Sequence, residues 1–389
     1  MKKILLAVVI SAICFPGAAF SKFDAGDVDI HGFISQGYIQ SDKYGFYNTD
    51  TEEGSYEFNE LGLNFSSMVS DDLRIGMQFM SKDLGEVGNN EVEVDWAYAD
   101  YNVNNWLGLR VGKIKKANAL FNEYRDIDAS RTCIFLPTNV YPEEFREPYL
   151  AHKGAGIYGT LPGNIEYQAS YGVFDIDKDG GVATRLSREM GAAVTGVDVN
   201  PSYNLFLKWH TPLDGLSIGT ARADFDVSLD GEIDTSALTP AGVGGILMDS
   251  HIPFTFTMDG YYQLAFLQYY YKNFMFATEY MAGTENTTVY PIEPKSKDAP
   301  RGYYFMTTYR FSPLFELGTY YSYIDGDKDD ANAPELKDFA ISTRFDITMN
   351  WIFKMEAHFM DGLRKVDTTG HADPSNHWEL YAAKLTYTF

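Results

Sequence analysis

The sequence predicts an all-β chain: one antiparallel barrel of about sixteen strands that crosses a membrane. Three observations predict it. Apolar and polar residues alternate with period 2 along most of the chain. The connections between these segments alternate between short and long. Aromatic residues reach 15%, with Tyr 28 and Phe 27, in a chain of net charge −23.

Composition bounds the function first. The chain has 389 residues and 54 Asp+Glu against 31 Lys+Arg. That acid excess opposes general nucleic-acid binding, which needs Lys and Arg to neutralise phosphates. At 45% hydrophobic residues it is not a disordered acidic chain. A mean hydropathy of −0.24 disfavours a bundle of apolar membrane helices.

The N-terminus reads as a secretory signal over residues 1–21. Lys2 and Lys3 precede the apolar run Ile4 to Phe15, and Pro16-Gly17 breaks it before a cut after Ser21. A single barrel domain then occupies 22–389. Cys133 is its one cysteine, read as a packed side chain because no catalytic Cys-His spacing surrounds it.

The strands follow in order. In 73–80, Leu73, Ile75, Met77 and Phe79 alternate with Arg74, Gly76 and Gln78. In 91–98, Val92, Val94, Trp96 and Tyr98 share one face, with Glu93 and Asp95 on the other. Equivalent patterns place strands near 28–41, 55–69, 72–81, 91–102, 106–114, 153–161, 164–174 and 202–211. The second half gives 215–227, 252–271, 273–282, 301–311, 314–324, 336–347, 349–361 and 376–389.

Short turns such as Ser70-Asp71, Pro162-Gly163 and Lys272 alternate with connections such as 115–152, 175–201, 228–251 and 283–300. Backbone groups in lipid must all be paired, so a spanning sheet must close on itself. Its outer face must be apolar, with aromatic rims. Tyr303, Phe305, Tyr309 and Phe311 fit that face, as do Phe315, Leu317, Tyr321 and Tyr323, whereas Thr308 falls on the lumen side.

The same phase sends a basic set inward: Arg74, Arg110, Lys208, Arg222, Arg310, Arg344, Lys354 and Lys384. The acidic inward set is Glu60, Glu93, Asp95, Glu166, Glu279, Glu316 and Glu356. The longest connection, 115–152, carries Glu123, Asp126, Asp128, Glu143 and Glu144, and its Ile134, Phe135 and Leu136 need cover.

The architecture, the long third loop and the closing Tyr387-Thr388-Phe389 resemble the 16-stranded Gram-negative outer-membrane porins over the whole chain. The resemblance implies a place in the bacterial outer membrane, among lipid and lipopolysaccharide. It implies a third loop folded into the lumen as the constriction, and passive diffusion of small hydrophilic solutes or ions. It also implies a homotrimer; the sequence carries no trimer motif, so a monomer stays open. Arg74, Arg110, Arg310, Arg344, Lys354 and Lys384 would then face Glu123, Asp126, Asp128, Glu143 and Glu144 across the opening. A transverse field there favours polar solutes.

A substrate-selective channel for an anion, sugar or peptide uses the same scaffold. Rival classes are a barrel enzyme, for which Ser342 and His358 lie on neighbouring strands, and a surface receptor or adhesin. No hydrolase or phosphate-loop motif occurs, and no cofactor is expected. Asp175, Asp177 and Asp179 with Gly180 begin like a calcium loop, but Leu186 stands where its bidentate Glu belongs.

Overall fold

The computed structural model describes residues 28–389 except 47–50, 86, 179, 235–250, 292, 329, 331–333, 365 and 367–374. The signal segment and Asp179 lie outside the described residues.

The first half of the sheet holds β1 (Asp29–Ser41), β2 (Phe58–Met68), β3 (Leu73–Leu84), β4 (Val92–Asn104), β5 (Leu107–Lys115), β6 (Ala151–Leu161) and β7 (Ile165–Val173). Next comes β8, Ala192–Val199 continued by Ser202–His210. Then follow β9 (Leu216–Asp234), β10 (His251–Tyr271) and β11 (Phe274–Tyr290). After these, β12 is Glu293–Asp298 continued by Arg301–Arg310. The last are β13 (Phe315–Asp325), β14 (Glu335–Asp346), β15 (Trp351–Asp361) and β16 (His377–Thr388).

Each strand pairs antiparallel with its sequence neighbours, and β16 pairs β1 from Phe33↔Thr388 to Ser41↔Leu380. The sheet is a closed 16-stranded barrel with no free seam. Phe389 adds the last rung, exchanging backbone hydrogen bonds with Gly32. The shortest strands, β5 and β7, have 9 residues, enough for a tilted strand to cross a hydrocarbon core.

All sixteen expected strands are present, but three connections are shorter than the sequence suggests. β8 pairs β9 along both of its halves, in line, so 192–199 is strand. Likewise both halves of β12 pair β11. Pro201 and Pro300 sit at the two breaks, where a residue without an N–H interrupts the ladder. β9 and β11 run on to Asp234 and Tyr290, well past the expected 227 and 282. The connection 175–201 also holds a helix, Gly181–Met190.

The short ends are tight turns. Tyr271↔Phe274 closes one on Lys272-Asn273, with Lys272 at φ 53°, and another turns on Pro162 with Gly163 at φ 90° and Asn164 at φ 61°.

Exposed apolar side chains circle the outside: Ile34, Leu61, Leu109, Leu205, Leu207, Phe305, Phe339, Met355 and Leu385. Ring contacts run along the short-turn rim from Tyr309 through Phe311, Phe315 and Phe345 to Phe353. A second group, Tyr303, Tyr321 and Tyr323, lies toward the long-loop rim. Tyr suits such rims because its ring is apolar and its hydroxyl wet. Among the described residues no helix is long and apolar enough to cross a membrane.

Two expected faces are corrected. The β3–β4 register shifts at Gln78/Phe79, opposite Trp96 and Val94, so Asp95 is an extra residue in β4. Beyond this bulge the phase inverts: Trp96 pairs with lumen-facing Gln78, and Tyr98 packs under inward Arg110. Arg222 is not a lumen residue. It is out of phase with buried Ala221 and Ala223, pairs with Asp224 and lies 3.9 Å from the Tyr261 ring centre.

Candidate functional site

Between β5 and β6 the chain leaves the wall at Lys116 and returns through a short helix, Arg146–Leu150. The intervening loop folds into the barrel and is fastened to the wall on two sides. It is too apolar to stand in water, and its apolar residues find cover. Leu120, Phe121, Leu136, Val140 and Tyr141 pack on Phe206, Leu264, Phe266, Met281, Tyr304 and Tyr320 of β8 to β13. Ile134 and Phe135 pack on Ile39, Phe58, Trp378 and Leu380, with the Phe135 and Phe58 rings stacked at 5.3 Å. At Gly318 the loop comes so close that a Cβ would stand 3.2 Å from the Thr132 methyl.

On the β11–β16 side the polar contacts are dry. Lys354 Nζ donates to the Asp128 carbonyl at 2.7 Å, its Oδ1 at 2.9 Å and the Cys133 carbonyl at 3.2 Å. Lys384 Nζ lies 3.5 Å from Asp128 and also pairs with Glu60, while Thr386 Oγ1 donates to Asp128 Oδ2 at 2.7 Å. The Lys354 and Asp128 side chains are 0% and 1% exposed. Burial alone would raise the Asp128 carboxyl; the Lys354, Lys384 and Arg131 cations hold it well below the usual carboxylate range.

Wall carboxylates bind the loop backbone here. Glu356 accepts from the Ile134 and Phe135 amides at 2.7 and 3.0 Å. Glu279 accepts from the Leu120 amide at 2.8 Å and from the Tyr141 and Tyr304 hydroxyls. Thr132 donates to Glu316 at 2.5 Å, and Arg344 donates to the Ala129 and Arg131 carbonyls at 2.7 and 3.0 Å. A loop that cannot pair its amides in a ladder needs such acceptors.

On the β3–β7 side the contacts are ion pairs, buried around Arg146, Asp95 and Asp126 and open to water at Glu93 and Glu123. Glu123 meets Arg110 at 3.3 Å and accepts from Gln168 at 2.8 Å. Arg146 joins Asp126 at 3.0 Å, Asp95 at 2.6 Å and Glu93 at 3.3 Å. Lys115 holds Asp126 at 3.2 Å, and Glu143 lies between Lys82 and Arg125. Glu93 and Glu123 side chains are 48% and 34% exposed.

The sequence-derived set therefore divides. Arg110, Arg344, Lys354 and Lys384 touch the loop, Arg110 at its Glu123 and both lysines at its Asp128. They meet in direct contact rather than across an open gap. Asp126 and Glu143 are held by Lys82, Lys115, Arg125 and Arg146, which strand alternation did not single out. Glu144 is buried beside the returning helix. Arg74 is exposed at the short-turn mouth, and Arg310 is paired there with Glu316 and Asp346, so neither reaches the loop. The backbone-binding role of Glu279 and Glu356 escaped the sequence; the available signal was two inward carboxylates on apolar-flanked strands.

His358 Nδ1 lies 3.1 Å from both Asp338 oxygens and Nε2 lies 2.9 Å from Glu356, while Ser342 donates to Glu356 at 2.6 Å. The carboxylate separates hydroxyl from imidazole, so no Ser-His pair forms. Cys133 is buried under Lys354, and burial, followed by nearby Glu356, pushes its thiol up to about 12.

The calcium reading gains no support from the described part of its loop. Asp175 pairs with Lys153 at 2.8 Å and Lys113 at 3.4 Å, and the Asp177 amide donates to Glu147. Among the described residues no three His, Cys, Asp or Glu side chains converge as metal ligands.

Solved structures share this architecture. An OmpF of Salmonella typhi in complex with daunomycin superposes with a TM-score of 0.61 at 11% identity, covering 93% of this chain and 97% of that one. The outer-membrane channel DcaP of Acinetobacter baumannii gives 0.59 at 13% identity, covering 93% and 97%. An anion-selective porin from Comamonas acidovorans gives 0.57 at 11%, covering 93% and 99%. No family model matches the chain and no curated protein sequence matches it. The fold is that of the Gram-negative outer-membrane porins.

Proposed function

We propose that the chain is an outer-membrane channel, in which the loop from Lys116 to Phe145 narrows the lumen and small hydrophilic solutes or ions pass down their gradients. The observation that carries this reading is the pairing of a closed, apolar-skinned barrel with a loop fastened inside it on both sides. Water and solutes are read to pass on the β3–β7 side, where the loop's charges are exposed.

The apolar packing of the loop on β8–β13 favours a selective channel over a wide general one. The role is passage and not catalysis: Ser342 and His358 are buried and both bind the Glu356 carboxylate. A homotrimer is the proposed assembly, a trimer form being among the solved relatives in fold.

Reconstitution into planar bilayers tests the reading. Stepwise conductance is expected. A correctly folded barrel that gives neither conductance nor liposome swelling overturns it.

A further inference from the structure

A cavity of 270 Å³ lies on the long-loop side, between the inserted loop, the helix Gly181–Met190 and the inner face of β9–β11. We propose that it binds small amphipathic organic anions, a carboxylate carried on one ring or on a short acyl chain. The proposal rests on the channel reading and names the solute class the chain would select.

Its walls are mainly apolar and aromatic: Phe145, Tyr149, Phe174, Phe225, Phe256 and Met258. Among the described residues three cations line it, Lys116, Arg185 and Arg364, with one inward carboxylate, Glu285, which lies in the field of the two arginines and not of Lys116. The Asp224 side chain, on the same stretch of wall, points outward to Arg222. Glu285 is already engaged by the Tyr262 hydroxyl.

Lys116 is the telling group. It is 4% exposed, its Nζ donates to the Pro148 carbonyl at 2.5 Å and lies 5.1 Å from the Phe174 ring centre, and no carboxylate of the described residues stands within ion-pair distance. Burial pushes its ammonium down to about 7. The Arg185 guanidinium lies 5.0 Å from the Phe145 ring, and Arg364 donates to the Pro334 carbonyl.

A buried cation without a counter-charge is costly, and an arriving carboxylate removes that cost. The apolar walls reward a ligand that also carries a ring or chain. Inorganic anions leave the aromatic walls uncovered, neutral solutes leave the charge uncompensated, and organic cations are repelled. The volume admits one ring, below the usual span of drug-sized pockets.

The test is current block in planar bilayers by phenylacetate, acetate, 2-phenylethanol and phenethylammonium. Phenylacetate is expected to half-block at a concentration roughly tenfold or more below that of acetate, with the alcohol and the cation inert there. In Arg364→Gln and in Phe256→Ser that preference should shrink to within about threefold. Equal block by acetate and phenylacetate overturns the proposal, as does an unchanged preference in both variants. If the chain carries no salt current, the channel reading fails alone. Calorimetry of phenylacetate with the micelle-folded chain then decides: saturation at one per chain supports the pocket, and no heat overturns it.

Discussion

The two walls that hold the inserted loop are built to different standards. On the β11–β16 side Lys354, Asp128, Glu356 and His358 are almost fully buried, and carboxylates grip backbone amides. On the β3–β7 side Arg110, Glu123 and Glu93 form long ion pairs in contact with water. Buried pairs are costly to break, whereas exposed pairs contribute little to stability. The β11–β16 wall therefore fixes the loop throughout, whereas the β3–β7 wall adds to the buried pairs of Arg146 a set of charges open to water.

The largest expected effect lies on the fixed wall. Asp128→Ala strands Lys354 without an acid and should cost about 3–5 kcal/mol. The urea midpoint in micelles should drop, and Cys133, shielded beneath Lys354, should begin to react with maleimide. Retained shielding would show that the apolar clusters alone hold the loop.

Next comes the outer skin of the same wall. Phe305→Arg should destabilise by roughly 2–4 kcal/mol if it lies near the bilayer midplane. Thr308→Arg, on the inner face, should cost less and change conductance. Equal costs would mean that the lipid and lumen faces are wrongly assigned.

Proton linkage distinguishes the walls by sign. Asp128 has a folded-state carboxyl held below its unfolded value. Its stabilisation is full above about pH 4 and is lost as pH falls below that. Glu147, beside the wet wall, is pushed up to about 7 by burial, with nearby Glu93 and Asp177 adding to the rise. A folded state that holds the extra proton loses stability as pH rises from about 4.3 towards 7. Glu147→Gln should remove that decline in a pH series of unfolding midpoints; an unchanged slope would discard Glu147 as its source.

The smallest stability effect belongs to Glu123→Gln, at about 0–1 kcal/mol. Its readout is electrical, a shift of the reversal potential in a salt gradient away from cations. No shift would remove Glu123 from the solute path.

Most of the wall was legible because a half-buried strand advertises its pleat. Tyr303, Phe305 and Tyr309 read correctly as outward, and Lys354 and Lys384 as inward. Alternation counts residues, however, and the sheet counts pleats. One inserted residue, Asp95, inverts Trp96 and Tyr98, and at Arg222 the apolar phase of Ala221, Ala223 and Val227 is the inward one, so the charge points out. Pro201 and Pro300 disguised strand as loop at 192–199 and 293–298.

The loop's charged residues could be named from sequence, but their partners could not. Asp128 and Lys354 are 226 positions apart, and nothing local relates them. The side-chain pattern marks Glu279 and Glu356 as inward carboxylates but carries no sign that they grip backbone amides.

That distance along the chain bears on how the molecule is made. Asp128 is completed by Lys354 on β15 and by Lys384 and Thr386 on β16, the strand that joins β1. Contacts this remote in sequence form late, because the chain entropy they cost is recovered only once the intervening strands are in place. The loop must therefore wait inside a still-open sheet until the final strand arrives, and the arrival that shuts the cylinder also supplies its last fastenings. Closure of the barrel and fastening of its inserted loop are thus one event, and a barrel caught before closure would have a loosely held interior.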